Sequence, residues 1–324
     1  MKKIKWGIIG CGNVTEFKSG PAFNKVQNSS LVAVMRRNAD KAADYAFRHN
    51  IARWYNDADK LINDPEVNAI YIATPPSSHE EYSLAAINAG KPVYVEKPMT
   101  LNSASAKRMI DTARAKNVKL VVAHYRREWP LFKKLKELIE DKAIGELIDV
   151  NLRFNKTTLT VNDLKDERMA WRVNPAISGG GLFHDLAPHQ LDIMYQLFGE
   201  EEQISGIAVN TGGLYKAADT VSGKIKFSNN IRFVGNWNFN SATDDDLCEI
   251  TGSRGKLVFS FFKGNSIDIH INNHIRRLEF DYLQHVQEPM IEKTVQHFLG
   301  QADNPCNGDS GVKIMQWMDA MTSI

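Results

Sequence analysis

Along its first 123 residues the chain alternates short apolar runs with mixed, helix-like stretches. The apolar runs fall at 4–9, 31–35, 69–73, 93–95 and 120–123. Each is short and, Lys5 apart, apolar, as expected of a strand buried on both faces. Between them, the pattern predicts helices at 40–50, 57–63, 80–89 and 103–116. Punctuation supports those limits. Asn38 or Asp40 can cap the first helix, Ser78 the third, and Asn102 or Ser103 the fourth. Gly90 can close the third. Strand and helix in alternation imply a parallel sheet covered on both faces, a doubly wound α/β domain. Ligands bind such a sheet beyond the carboxyl ends of its strands.

The pattern changes after His124. A helix is predicted at 130–141, with Leu131, Leu135, Leu138 and Ile139 on one face. Residues 147–154 alternate as a half-buried strand, and a helix at 182–198 follows the run Gly179-Gly180-Gly181. Strands then come without helices between them, at 204–210, 220–227, 231–239, 247–251, 256–261 and 267–271. Turn signals such as Ser228-Asn229-Asn230 and Asn272-Asn273 separate several of them. This predicts a C-terminal α+β domain on a large, mostly antiparallel open sheet. The expected domains are 1–123 and 124–324, with final helices at 289–300 and 310–322 able to pack back on the first.

Composition narrows the class. A chain of 324 residues can build two cores, and 43% hydrophobic with 24% charged residues is ordinary globular composition. Forty basic against 38 acidic residues give a net charge of +2, which supports neither nucleic acid nor an acidic membrane as partner. Cys11, Cys248 and Cys306 form no C-x-x-C pair and read as free thiols in a reducing compartment. Lys2, Lys3 and Lys5 before an apolar run imitate an export signal, but that run is too short. No apolar run approaches a membrane span, so a cytoplasmic location is expected.

Candidate chemistry clusters at the strand ends. Gly10-x-Gly12 follows the first strand and precedes a segment, opened by Asn13 and Val14, that can start a helix. Strand, glycine turn and helix in that order suit a dinucleotide pyrophosphate. Gly10 can take tight-turn angles, Gly12 admits close approach, and the helix start offers N–H groups. Thr15 fills the third, normally small, position. Past the second strand stand Arg36 and Arg37, where a carboxylate would favour the ribose hydroxyl of NAD. Two guanidiniums favour a 2′-phosphate, hence NADP, with NAD the alternative. Lys97 sits at the mouth of the sheet within Val95-Glu96-Lys97-Pro98. Asp185 and His189 lie one helical turn apart, with Asp192 near the same face. Their spacing matches no recognised zinc motif, and no metal is expected.

Gly10-x-Gly12, Ala73-Thr74-Pro75 with His79, Glu96-Lys97-Pro98, and Gly180-Gly181 leading to Asp185-x-x-x-His189 occur in one order. Together they resemble the glucose–fructose oxidoreductase/inositol dehydrogenase/MocA family over essentially the whole chain. The resemblance implies a Rossmann domain and a hydride transfer between NAD(P)(H) and a CH–OH or C=O group of a sugar, polyol or related molecule. It implies that Lys97, Asp185 and His189 are catalytic. It also implies that Thr74, Pro75, His79 and Glu96 line the cofactor cleft, and that Trp171 and Arg172 border cofactor or substrate. The amine of Lys97 would then face the imidazole of His189 over the nicotinamide. His184, beside Asp185, departs from the apolar residue common in relatives and suggests a more polar pocket. A dinucleotide-binding regulator and an NAD-dependent glycoside-cleaving enzyme are the alternative readings. The open sheet suggests a homo-oligomer, with a dimer the simplest.

Overall fold

The structure, a computed structural model, describes residues 2–323. Strand β1 (Ile4–Ile9) holds the centre of the first sheet. Ile4, Trp6, Ile8 and Ile9 have no exposed surface, as a strand covered on both faces requires. The chain continues through α1 (Asn13–Phe17), α2 (Ala22–Lys25), β2 (Ser29–Met35), α3 (Ala39–Arg48), β3 (Arg53–Tyr55) and α4 (Ala58–Ile62). Then come β4 (Ala69–Ile72), α5 (His79–Asn88), β5 (Val93–Val95), α6 (Ser103–Ala115) and β6 (Leu120–Val122). The six strands are parallel in the order β3-β2-β1-β4-β5-β6. The order reverses between β1 and β4, so the carboxyl ends of these two strands flank the switch point. Gly10 follows one and Ala73-Thr74 the other.

Helix caps follow the sequence with one exception. The side chains of Asn38 and Asn102 accept from Lys41 N and Ser105 N. Ser78 occupies the cap position of α5 without a capping bond. Its hydroxyl instead lies 2.8 Å from Thr74 Oγ1 and 3.1 Å from Pro75 O, so it tightens the loop before the helix.

The chain divides into two compact units. The first comprises residues up to Tyr125 together with Leu283–Met315; the second comprises Arg126–Tyr282 and the residues from Gln316 on. The first unit therefore includes α11 (Glu288–Phe298). Phe298 packs its ring 5.6 Å from that of Trp6, which also meets Phe23 at 4.8 Å. Lys119 Nζ donates to His297 O at 2.6 Å.

In the second unit, α7 (Pro130–Glu140), β7 (Leu147–Thr157), α8 (Glu167–Ala170), α9 (Pro175–Ser178) and α10 (Gly181–Phe198) precede a run of strands. These are β8 (Glu201–Val209), β9 (Thr220–Phe227), β10 (Arg232–Ser241), β11 (Asp245–Gly252), β12 (Gly255–Phe259), β13 (Ser266–Ile271) and β14 (His274–Glu279). Their order is β14-β13-β12-β11-β7-β10-β9-β8. Every pair is antiparallel except β7–β10, which is parallel. Along β10, Phe233, Gly235, Trp237 and Phe239 point into the core while their neighbours face solvent or are half-buried. Trp237 Nε1 donates to Gln190 Oε1 of α10 at 2.6 Å, tying that helix to the inner face. The unit division falls within the last helix, α12 (Gly308–Thr322).

Asp246 pins the loop after β12. It is buried, and its carboxylate accepts from the backbone N–H groups of Phe261 (3.1 Å), Phe262 (2.5 Å) and Lys263 (3.0 Å). Asp246→Ala leaves these donors without their acceptor and should cost about 2–3 kcal/mol. The check is the urea midpoint of the purified variant; an unchanged midpoint would show that the loop holds without the carboxylate.

Candidate active site

The glycine turn is built on backbone geometry. Gly10 has φ +94°, and a Cβ there would lie 2.7 Å from Thr74 Cγ2 and 2.8 Å from Thr74 N. Only glycine fits that position without strain. Gly12 differs, since the nearest atom to a Cβ there is Gly10 O at 3.8 Å. Gly12 also occupies the N-cap of α1, where no side chain makes a capping bond. An open backbone face at an uncapped turn fits a dinucleotide pyrophosphate, with Gly10, Gly12, Asn13 and Val14 as the residues that would hold it. Thr15 is accommodated internally. Its side chain is buried and donates to Gly12 O at 2.8 Å, while Tyr45 Oη donates to Thr15 O at 2.9 Å. Glu16, the acidic group nearest the turn, is bonded to Arg48 by two contacts of 2.8–2.9 Å and to His49 at 2.8 Å. Arg48 first, then His49, holds its carboxyl below the usual range, so its charge is neutralised locally. Burial pushes the Cys11 thiol up to about 12, which leaves it protonated and unreactive. Arg36 is half-buried, with Nη1 3.5 Å from Cys11 O, whereas Arg37 is exposed.

A second cluster surrounds the lysine turn at the end of β5. His79 has no exposed surface; its Nδ1 lies 3.0 Å from Pro98 O and its Nε2 2.7 Å from Thr74 O. Burial pulls its pKa down to about 4 against the opposing pull of those carbonyls. His79 thus bridges the Thr74-Pro75 loop and the Lys97-Pro98 turn rather than presenting a face of its own to a ligand. Glu96 is 6% exposed. Its Oε1 accepts from Tyr71 Oη and from Gln287 Nε2, both at 2.5 Å, and its Oε2 from Lys97 N at 3.3 Å. Lys97 itself is half-buried.

In the second unit, α10 carries Asp185 and His189. Arg172 Nε donates to Asp185 Oδ2 at 3.1 Å, and its guanidinium stacks 4.5 Å from the Trp171 ring. The structure thus joins Trp171, Arg172 and Asp185 in one group. His189 is 4% exposed, and its ring stands edge-on to Phe262 at 5.6 Å. The Arg126 guanidinium also meets Phe262, 4.5 Å from that ring and 4.2 Å from Trp129. Asp192 is drawn elsewhere, since Arg127 holds it with three contacts of 2.6–3.0 Å in a buried ion pair.

Two expectations for this segment change. Packing alone requires two of the three glycines, Gly180 and Gly181, to lack a side chain. A Cβ on Gly180 would meet His184 Nδ1 at 2.0 Å, and one on Gly181 (φ +77°) would meet Ala217 Cβ at 2.4 Å. His184 adds no polarity to a pocket either. It is 3% exposed inside the second unit, and burial pulls its pKa down to about 4.

Among the described residues, no group of three or more His, Cys, Asp or Glu side chains is placed to hold a metal ion. No described helix is long and apolar enough to cross a membrane. Sequence reasoning missed Gln287, Arg126 and Phe262. Only Glu96 gave a signal, because a carboxylate next to a buried strand needs donors from somewhere.

The model of an oxidoreductase family with an NAD-binding Rossmann fold matches residues 4–124, and that of the GFO/IDH/MocA C-terminal domain matches residues 132–258. Oxidoreductase P35 of Formosa agariphila is 47% identical over 317 residues, covering 98% of both chains. D-xylose 1-dehydrogenase (NADP(+)) of Hypocrea jecorina is 30% identical over 230 residues, 65% of this chain and 58% of that one. A levoglucosan dehydrogenase solved in complex with NADH and levoglucosan shares the fold, with a TM-score of 0.86 at 20% identity over 98% of this chain and 96% of that one. On the glycine turn, the parallel sheet and these matches, the chain belongs to the Gfo/Idh/MocA oxidoreductases with an NAD-binding Rossmann fold.

Proposed function

We propose that this oxidoreductase transfers a hydride between NADP(H) and a CH–OH or C=O carbon of a sugar, polyol or similar small molecule, with Lys97, Asp185 and His189 as catalytic residues. The observation that carries the reading is the lysine turn. Lys97 follows β5 in an NAD-binding fold, and its backbone N–H lies 3.3 Å from the carboxylate of buried Glu96. The names of the relatives support the substrate class, since they act on xylose and levoglucosan.

The dinucleotide, when bound, supplies or accepts the hydride. Oxygen on the reacting carbon must then gain or lose a proton. Lys97, as an ammonium, donates a hydrogen bond to that oxygen and polarises it. His189 exchanges the proton, a task suited to imidazole near neutral pH. Asp185 stabilises the charged partner, while Arg172 fixes its carboxylate and balances its charge. Pairing with Arg172 orients the Asp185 carboxylate.

Cofactor choice rests on Arg36 and Arg37. Neither is a carboxylate, and Arg37 is exposed and open to a 2′-phosphate. The xylose enzyme's name specifies NADP(+), whereas the levoglucosan enzyme was solved with NADH. The same reading includes a cytoplasmic protein, consistent with three buried free cysteines, and a homodimer through the exposed face of the second sheet.

Three outcomes are expected. Lys97→Met should lower kcat on a panel of aldoses and polyols by about 10²–10⁴-fold while NADPH binding is kept; full turnover in that variant ends the catalytic assignment. Fluorescence titration should show NADPH bound about tenfold or more tightly than NADH, a difference of about 1.4 kcal/mol, and the reverse order would remove the role of the two arginines. Gly10→Ala should weaken NADPH binding by about tenfold or more, because its Cβ collides with the Thr74 backbone. Unchanged affinity would show that the turn does not hold the dinucleotide.

A further inference from the structure

The buried side-chain partners of Glu96 come from two distant parts of the first unit. Tyr71 Oη, on β4, lies 2.5 Å from Glu96 Oε1 and 3.1 Å from Ser19 Oγ, just past α1. Gln287 precedes α11 and is separated from Glu96 by 191 residues of chain. It has no exposed surface, and its amide is engaged on both sides. Nε2 donates to Glu96 Oε1 at 2.5 Å, and Oε1 accepts from Tyr94 Oη at 3.1 Å. Its backbone N–H donates to Lys18 O at 3.2 Å, and His285 Nδ1 lies 2.9 Å from Phe17 O. The segment 285–287 therefore joins the end of α1 to the lysine turn.

Burial, then the charge of Glu96, pushes both Tyr71 and Tyr94 well above the ordinary phenol range, so both remain donors. The Tyr71 hydroxyl supplies one hydrogen to the carboxylate. The Gln287 amide supplies the other hydrogen at the same oxygen. With Oε1 so held, Oε2 is turned toward the Lys97 backbone. A buried carboxylate that loses a donor must find another or move, because the site offers no bulk water to replace it.

We propose that Gln287 is a positioning residue for Lys97. By clamping Glu96, it sets the placement of the lysine turn and, through it, of the Lys97 amine. This rests on Lys97 as the proton-handling group, yet the positioning itself can be read without turnover. The experiment is amine labelling of the whole protein with trinitrobenzenesulfonate, quantified lysine by lysine by peptide mass spectrometry. The set is the parent, Gln287→Met, Glu96→Gln and the double variant.

In Gln287→Met the labelling rate of Lys97 should rise by about threefold or more, the change that a half-unit fall in amine pKa produces. Lys119, bonded to His297 O, and Lys91, bonded to Asp64 O, report general loosening of the same unit. Their rates should stay level. In the Glu96→Gln background Gln287→Met should bring no further rise, because Gln287 acts on Lys97 only through the Glu96 carboxylate. An unchanged Lys97 rate overturns the proposal. So does a parallel rise at Lys91 and Lys119, which marks Gln287 as a general stabiliser, or a double variant whose effects multiply. Turnover of Lys97→Met decides the catalytic reading separately, so either claim can fail while the other stands.

Discussion

The buried carboxylate of Glu96 ties together distant parts of the dinucleotide-binding unit. Ionised groups are seldom left inside a protein without donors, since desolvation costs several kcal/mol. Glu96 is 6% exposed and has gathered Tyr71, Gln287 and the Lys97 backbone around it. Those donors fix where the chain must pass. β4 and β5 are neighbours in the sheet, so Tyr71 and Glu96 come together from adjacent strands. Gln287 arrives because the segment after Leu283 belongs to the first unit. One electrostatic demand thus links the sheet, the turn after β5 and a stretch near the end of the chain.

Around this centre the first unit separates rigid supports from groups that can meet a ligand. His79, Thr15 and Cys11 are buried and face inward, where they hold loops. Gly12, Arg37 and Lys97 keep exposed surface. The second unit repeats that division along α10. His184 and Asp192 are locked into the core, while Asp185 retains a partly exposed carboxylate paired with Arg172. A helix with neighbouring polar residues on opposite duties shows why spacing alone does not assign a role.

Much of the fold is legible in the chain because apolar periodicity reports burial directly. β1, β2 and β4 are mostly apolar and are easily read. β3 and β14 are not, since Arg53 and Trp54 are exposed and β14 is almost wholly exposed. Edge strands need little apolar surface, so they leave no periodic mark. The Lys97 and Asp185–His189 motifs are also readable, as residue types at fixed spacing. Their partners are not. Gln287 lies 191 positions from Glu96 and Arg126 stands 135 positions from Phe261, whose carbonyl it binds, and no local pattern encodes such meetings. The triple glycine carries a packing demand that spacing does not show, since a Cβ on Gly180 would meet His184 and one on Gly181 would meet Ala217.

The central claim is that the Glu96 carboxylate serves the chemistry and not only the stability of the fold. The most direct measurement is a single turnover of enzyme-bound NADPH with a carbonyl sugar, followed by nicotinamide absorbance in Glu96→Gln beside the parent. Hydride transfer should slow by about two orders of magnitude while NADPH affinity is retained. An unchanged transfer rate in that variant would contradict the account.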